Sequence, residues 1–166
     1  GWAGHTLQGV AIDSLETFWM EHTGEEIPCL YQRLGLQMAF VILQNEELKA
    51  LAFWENWNFT GAFQEIISID PADDLSQMIL ESFEQYARCQ QSEILLLSKA
   101  KRQELNLQPE TSGYELIAAD QLTYPAWQQV ATRMTGHQEE KLWVKVLSQP
   151  IETQHDFGSI ETQTND

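Results

Sequence analysis

The unit that most limits what this chain can fold into runs from Phe63 to Leu97, where strand, amphipathic helix and strand follow one another with short links. Phe63, Ile67 and Ile69 alternate toward one face of the first strand and Ile66 toward the other. Asp70-Pro71 stops that strand, because proline lacks a backbone donor and pushes the residue before it toward extended geometry. Leu75, Met78, Ile79, Phe83, Tyr86 and Ala87 then recur at steps of three and four among Gln, Glu and Ser, which predicts one helix ending near Cys89-Gln90-Gln91. Glu93 to Leu97 reads as a short strand buried on both faces. Two strands joined by a helix of this length form a parallel pair with a right-handed crossover.

The flanks extend the pattern. Asp13-Ser14-Leu15-Glu16 has the form of a helix N-terminal box, and Leu15, Phe18 and Trp19 give a first helix that fades by Gly24. Pro28 opens a second short helix through Leu30, Tyr31 and Leu34, closed by Gly35. Gln37 to Leu43 and Leu48 to Trp54 are apolar runs around Gln44-Asn45-Glu46-Glu47, a hairpin whose Asn tolerates positive φ. With the Phe63 strand they predict three neighbouring antiparallel strands, in which Trp54, Trp57 and Phe59 are packing residues rather than a ligand box. Beyond Leu97, a short helix over Lys101 to Leu107, a strand at Tyr114 to Ala118, a helix over Tyr124 to Met134 and a last strand at Lys141 to Leu147 complete an α/β domain. Its central mixed sheet is mostly antiparallel and flanked by helices. One domain over residues 1–147 is expected, followed by an acidic, mobile tail over 148–166 that holds no Lys or Arg.

Charge narrows the function classes. Against 9 basic residues stand 25 acidic ones, a formal net charge of −16 in 166 residues, which disfavours nucleic acid and anionic membranes and favours a cationic small molecule or a basic protein surface. No apolar run approaches the roughly 20 residues that span a bilayer, and no segment with a basic flank and apolar centre is visible, so a soluble, cytoplasmic protein is expected. Cys29 and Cys89 lie far apart without metal-ligand spacing and read as buried thiols or as a single disulfide. His5, His22, His137 and His155 stand alone, so no metal site is expected.

The order of elements resembles the GNAT family of acyl-CoA-dependent N-acyltransferases over about residues 6 to 147. Two N-terminal helices, the Met38 to Trp54 hairpin, the strand ending Ile67-Ser68-Ile69-Asp70-Pro71, the crossover, Gly113-Tyr114-Glu115 in place of the family's G-F-E, and the closing Leu142-Trp143-Val144-Lys145 strand carry the resemblance. It implies an acetyl-CoA or other acyl-CoA cofactor, gripped by an R/Q-x-x-G-x-G/A loop at a helix start. Here Ala72-Asp73-Asp74-Leu75-Ser76 stands in that place, with neither Gly nor Arg, and its carboxylates oppose the positive end of the helix and repel a pyrophosphate. Ile67, Ile69, Asp74, Leu75 and Ser76 are the implied cofactor-binding positions, with Lys99, Lys101 and Arg102 after the second strand as the cations that compensate. Taken by themselves, those three cations read first as a solvated helix start and second as an anion site.

The resemblance also implies a Glu on the first crossover strand as general base, which is Glu65, unless its side chain points to solvent. The family's general acid, a Tyr in the helix after the second strand, has no counterpart in Lys101 to Asn106; Tyr114 is the nearest candidate and doubles as a packing residue. Two functions follow. One is a divergent N-acyltransferase for a cationic amine; the other is a catalytically inactive GNAT-like domain that works as an acidic regulatory or immunity-type binding protein.

Overall fold

The computed structural model describes residues 2–68, 73–100 and 107–149, and Ile69 to Ala72, Lys101 to Asn106 and the segment from Pro150 onward lie outside the described residues. Among the described residues seven strands form one sheet: β1 (Trp2–His5), β2 (Met38–Gln44), β3 (Glu47–Trp57), β4 (Thr60–Ser68), β5 (Ile94–Leu97), β6 (Glu115–Ala118) and β7 (Lys141–Val146). Their spatial order is β1-β2-β3-β4-β5-β7-β6, and β4 with β5 is the parallel pair amid antiparallel neighbours. The helices are α1 (Ile12–Thr23), α2 (Ile27–Leu36), α3 (Asp73–Cys89) and α4 (Pro125–Thr135). Among the described residues no helix is long and apolar enough to cross a membrane.

Each face of the sheet carries its own apolar layer. On one, Phe40, Ile42, Trp54, Phe63, Leu95 and Leu97 meet Leu75, Ile79 and Phe83 of α3. On the other, Leu51, Phe53 and Ile67 meet Leu15, Phe18, Trp19 and Leu30 of α1 and α2, while Ala62, Ile94, Leu96 and Val144 meet Trp127, Val130 and Ala131 of α4. β5 is buried on both faces, as its unbroken apolar run requires. Two-residue turns with positive φ join the antiparallel strands: Asn45 (51°) with Glu46 (65°), and Asn58 (50°) with Phe59 (62°). Both residues of such a turn need the left-handed region, because only then does its twist match that of the strands.

Several expectations are corrected. Phe63 and Ile67 do not share a face: Phe63 belongs to the α3 layer and Ile67 to the α1/α2 layer. The register explains it, since Trp54 pairs with Phe63 and Phe53 with Glu65, leaving Gln64 as an extra residue. Such a β-bulge shifts the alternation of every residue beyond it by one. α1 begins at Ile12 with Ala11 as an N-cap lacking a side-chain hydrogen bond, so Asp13 acts in the first turn rather than as the cap. α2 runs through Gly35 to Leu36, closed by the Gln37 N–H donating to the Arg33 carbonyl at 2.9 Å. Cys29 and Cys89 are free and exposed, neither buried nor bonded to each other. The strand β1, which the sequence reading does not contain, pairs with β2 on the far edge.

Candidate functional site

β4 and β5 run side by side for only three residues, Thr60 to Ala62 against Ile94 to Leu96. This closed end is dense. A Cβ on Gly61 would lie 3.0 Å from Leu95 Cδ2, 3.2 Å from Ser92 Oγ and 3.4 Å from Ala87 Cβ, so the absence of a side chain lets β5 and the end of α3 close in. The Glu93 N–H donates to the Phe59 carbonyl at 2.7 Å, Ser92 Oγ donates to Asn56 Oδ1 at 3.0 Å, and the Leu147 N–H donates to the Glu93 carbonyl at 2.7 Å. The buried Glu93 side chain accepts from Trp127 Nε1 at 3.3 Å, tying α4 to the same point.

Past Ala62 the strands part. Among the described residues, β4 continues to Ser68 paired with β3 alone, while β5 stays paired with β7 through Leu97 and then leads to a helical start at Lys99–Ala100. A strand that loses one neighbour presents backbone donors and acceptors along that edge. The bulge at Gln64 falls just beyond the point of parting. The Gln64 amide nitrogen is buried and has no hydrogen-bond partner among the described residues.

The bulge also turns Glu65 toward α2, where Arg33 Nη2 donates to Glu65 Oε2 in an ion pair about a third exposed on each side (29% and 34%). Arg33 lies over the Phe53 ring at 4.8 Å, and its Nε donates to Gln37 Oε1 at 3.1 Å. Gln37 Nε2 in turn donates to Glu55 Oε2 at 3.0 Å. Beside this chain, Trp19, Glu25, Cys29, Arg33, Gln37 and Glu55 line a pocket of about 310 Å³. Carboxylates outnumber the guanidinium here, so the pocket and its surroundings favour a cation. A larger groove of about 970 Å³ lies between α1 and the β2–β3 turn, with Asp13, Glu21, Glu46 and Glu47 along it.

Tyr114 lies on the opposite face from Glu65. It is buried in the α3 layer with Leu97 and Leu107, and its hydroxyl has no hydrogen-bond partner among the described residues. Burial first, and the Glu84 carboxylate second, raise its pKa well above the ordinary phenol value. The two candidate catalytic groups are therefore not brought together. Of the implied cofactor positions, Ile67, Leu75 and Ser76 are buried and Lys99 is exposed. Asp74 stands in the first turn of α3 with its side chain outside the described part, and Ile69, Lys101 and Arg102 lie outside the described residues. Arg33, Gln37, Glu55 and Gln64 escape sequence reasoning. The polar i,i+4 spacing of Arg33 and Gln37 at a helix end is the one local signal that marks any of them.

A scan against protein-family models finds no match, and a search of the curated proteins finds none. Solved structures do match. N-acetylglutamate synthase from Neisseria gonorrhoeae, complexed with coenzyme A and N-acetyl-glutamate, superposes with a TM-score of 0.56 at 12% identity, over 90% of this chain and 36% of that one. The ribosomal-protein-S18-alanine N-acetyltransferase from Escherichia coli gives 0.55 at 14% identity, over 92% and 97%. A GNAT-family acetyltransferase from Staphylococcus aureus Mu50 gives 0.55 at 9% identity, over 89% and 100%. The chain thus has a divergent GNAT-like fold.

Proposed function

We propose that this protein is an acyl-CoA-dependent N-acyltransferase acting on a cationic amine. The parting of β4 from β5 beyond Ala62, within a fold shared with acetyltransferases, is the observation that carries the reading. An acyl-CoA suits the gap, because its extended, amide-bearing arm can use the edge that β4 presents from Phe63 to Ser68 as a neighbouring strand would. The phosphate end has the exposed Lys99, and in sequence Lys101 and Arg102, to offset Asp73 and Asp74 at the start of α3. When bound, such a cofactor supplies an acyl group activated as a thioester.

The chain's own residues act on the amine. An ammonium must lose a proton before its nitrogen can attack, and Glu65 is the carboxylate on the β4 bulge that would take it, directly or through water. Arg33 holds Oε2, which fixes the carboxylate and leaves Oε1 as the atom for the proton. Glu25 and Glu55 by the α2 pocket add negative potential that draws a cation to this face. Calorimetric titration with acetyl-CoA and a longer acyl-CoA, at low and physiological salt, tests the reading. Saturable micromolar binding is expected; no binding into the millimolar range ends it.

A second reading rests on the charge of −16 and on the acidic groove along α1: a catalytically inactive protein that docks a basic partner surface. Its association would weaken steeply as salt shortens electrostatic reach to about 8 Å at physiological ionic strength. Salt-independent association would exclude it.

A further inference from the structure

We propose that the groove beside the β3–β4 turn is a binding site for a monocarboxylate, held by the guanidinium of Arg133. It lies at the end of the sheet away from the parting of β4 and β5, and it stands independently of the acyltransferase reading. Trp57 at the end of β3 and Asn58 in the turn face Gln129, Val130, Thr132 and Arg133 of α4 across a groove of about 480 Å³. Arg133 Cζ lies over the Trp57 ring at 4.9 Å, a contact that occupies one face of the guanidinium and sets its plane. The N–H donors point outward in that plane, and none meets an acceptor among the described residues. The side chains of Asn58, Gln129 and Thr132 make no hydrogen bond among the described residues either, so four polar groups line one groove with their donors unused.

The lining selects the ligand. In a chain with 25 acidic residues this groove holds no carboxylate, whereas the α1 groove holds Asp13, Glu21, Glu46 and Glu47 and the α2 pocket Glu25 and Glu55. A guanidinium with a free edge matches the two oxygens of a carboxylate with two parallel donors. One cation offsets one negative charge, and the net −16 around it works against a phosphate dianion or a run of acids. Trp57, half-buried against the α4 layer, adds an apolar wall, so the carboxylate that fits carries an apolar body. Arg133 also stands in the last turn of α4, where its charge offsets the negative helix end, so stability by itself does not report on the site.

The test titrates benzoate, benzamide and a capped tripeptide with a central glutamate into the full chain through the millimolar range, read by heteronuclear NMR. The signal followed is the Trp57 indole N–H, assigned by its loss in Trp57→Phe. Benzoate is expected to shift it saturably while benzamide, alike in shape but uncharged, leaves it in place. A shift with benzoate alone assigns the site to small acids; a shift with the tripeptide as well extends it to a carboxylate on a protein partner. Arg133→Gln should weaken benzoate by about 5- to 20-fold, between the values of an exposed ion pair and of a charge-assisted hydrogen bond. Arg133→Lys keeps the charge, loses the fork and should weaken it by about 3-fold or more. Equal responses to benzoate and benzamide, no saturable shift in the wild type, or undiminished benzoate affinity in Arg133→Gln overturns the site. Should Arg133→Gln fail to fold, undiminished affinity in Arg133→Lys overturns it instead.

Discussion

The two halves of β4 differ although they belong to one strand. From Thr60 to Ala62 it has neighbours on both edges, Gly61 admits Leu95 and Ala87, and the backbone and side chain of Glu93 fasten β7 and α4 to the turn. From Phe63 onward it has β3 alone among the described residues, carries an extra residue, and presents Gln64 and Glu65 at adjacent positions. The first half is closed on both edges by apolar contact; the second keeps Phe63, Ile66 and Ile67 in the apolar layers but adds the polar side chains of Gln64 and Glu65 between them. One strand is thereby packed shut at one end and, among the described residues, open along one edge at the other.

The largest expected effect lies on the open half. Glu65→Gln should lower amine acylation by about 10²- to 10⁴-fold if this carboxylate is the base. Its melting temperature should hardly move, because the pair with Arg33 is about a third exposed and such pairs contribute about 0–1 kcal/mol. Steady-state kinetics beside a thermal melt reads both, and undiminished turnover would remove Glu65 from the mechanism.

A substitution on the closed half should reverse that pattern. Gly61→Val places branched methyl groups against Leu95 and Ala87, where even a Cβ sits at 3.0 Å and 3.4 Å, and overpacking of this kind costs about 1–3 kcal/mol. Urea titration should show the lowered midpoint. An unchanged midpoint would mean that the two halves do not differ in packing.

The smallest effect concerns acid stability at the closed half. Burial alone would raise the Glu84 pKa above its ordinary 4.5, but hydrogen bonds from Lys145 of β7 and from Arg88 outweigh burial and hold it lower. A carboxyl depressed on folding adds stability above the unfolded value and loses it as pH falls through the folded one. Lys145→Met should therefore lose up to about 1 kcal/mol at pH 7, and the gap to wild type should narrow as the pH drops below 4.5. Melts at neutral and acid pH measure that gap; a constant gap would assign the loss to packing.

Much of this architecture was legible in the chain. The spacing of Leu75, Ile79 and Phe83 marks α3, the run Ile94 to Leu97 marks a strand with two covered faces, and Asn45 marks a turn that needs positive φ. The bulge was not legible. Gln64 is neither Gly nor Pro, and its extra place shows only once β3 lies alongside, so simple alternation puts Phe63 and Ile67 on one face where the sheet separates them. β1 was missed for a similar reason: Trp2-Ala3-Gly4-His5 has no alternation, and its pairing depends on β2 and on α3 pressing so close that a Cβ on Gly4 would lie 2.1 Å from Ser82 Oγ. The Arg33–Glu65 pair joins residues 32 apart in sequence, beyond the reach of any local pattern.

The exposed thiol of Cys29 lines the α2 pocket together with Arg33 and Glu55. It gives the protein a built-in reporter: a maleimide fluorophore attached there needs no engineered handle beyond replacing Cys89, and its emission would follow whatever enters that pocket. Amine acceptors could then be screened by light, ahead of any assay for turnover.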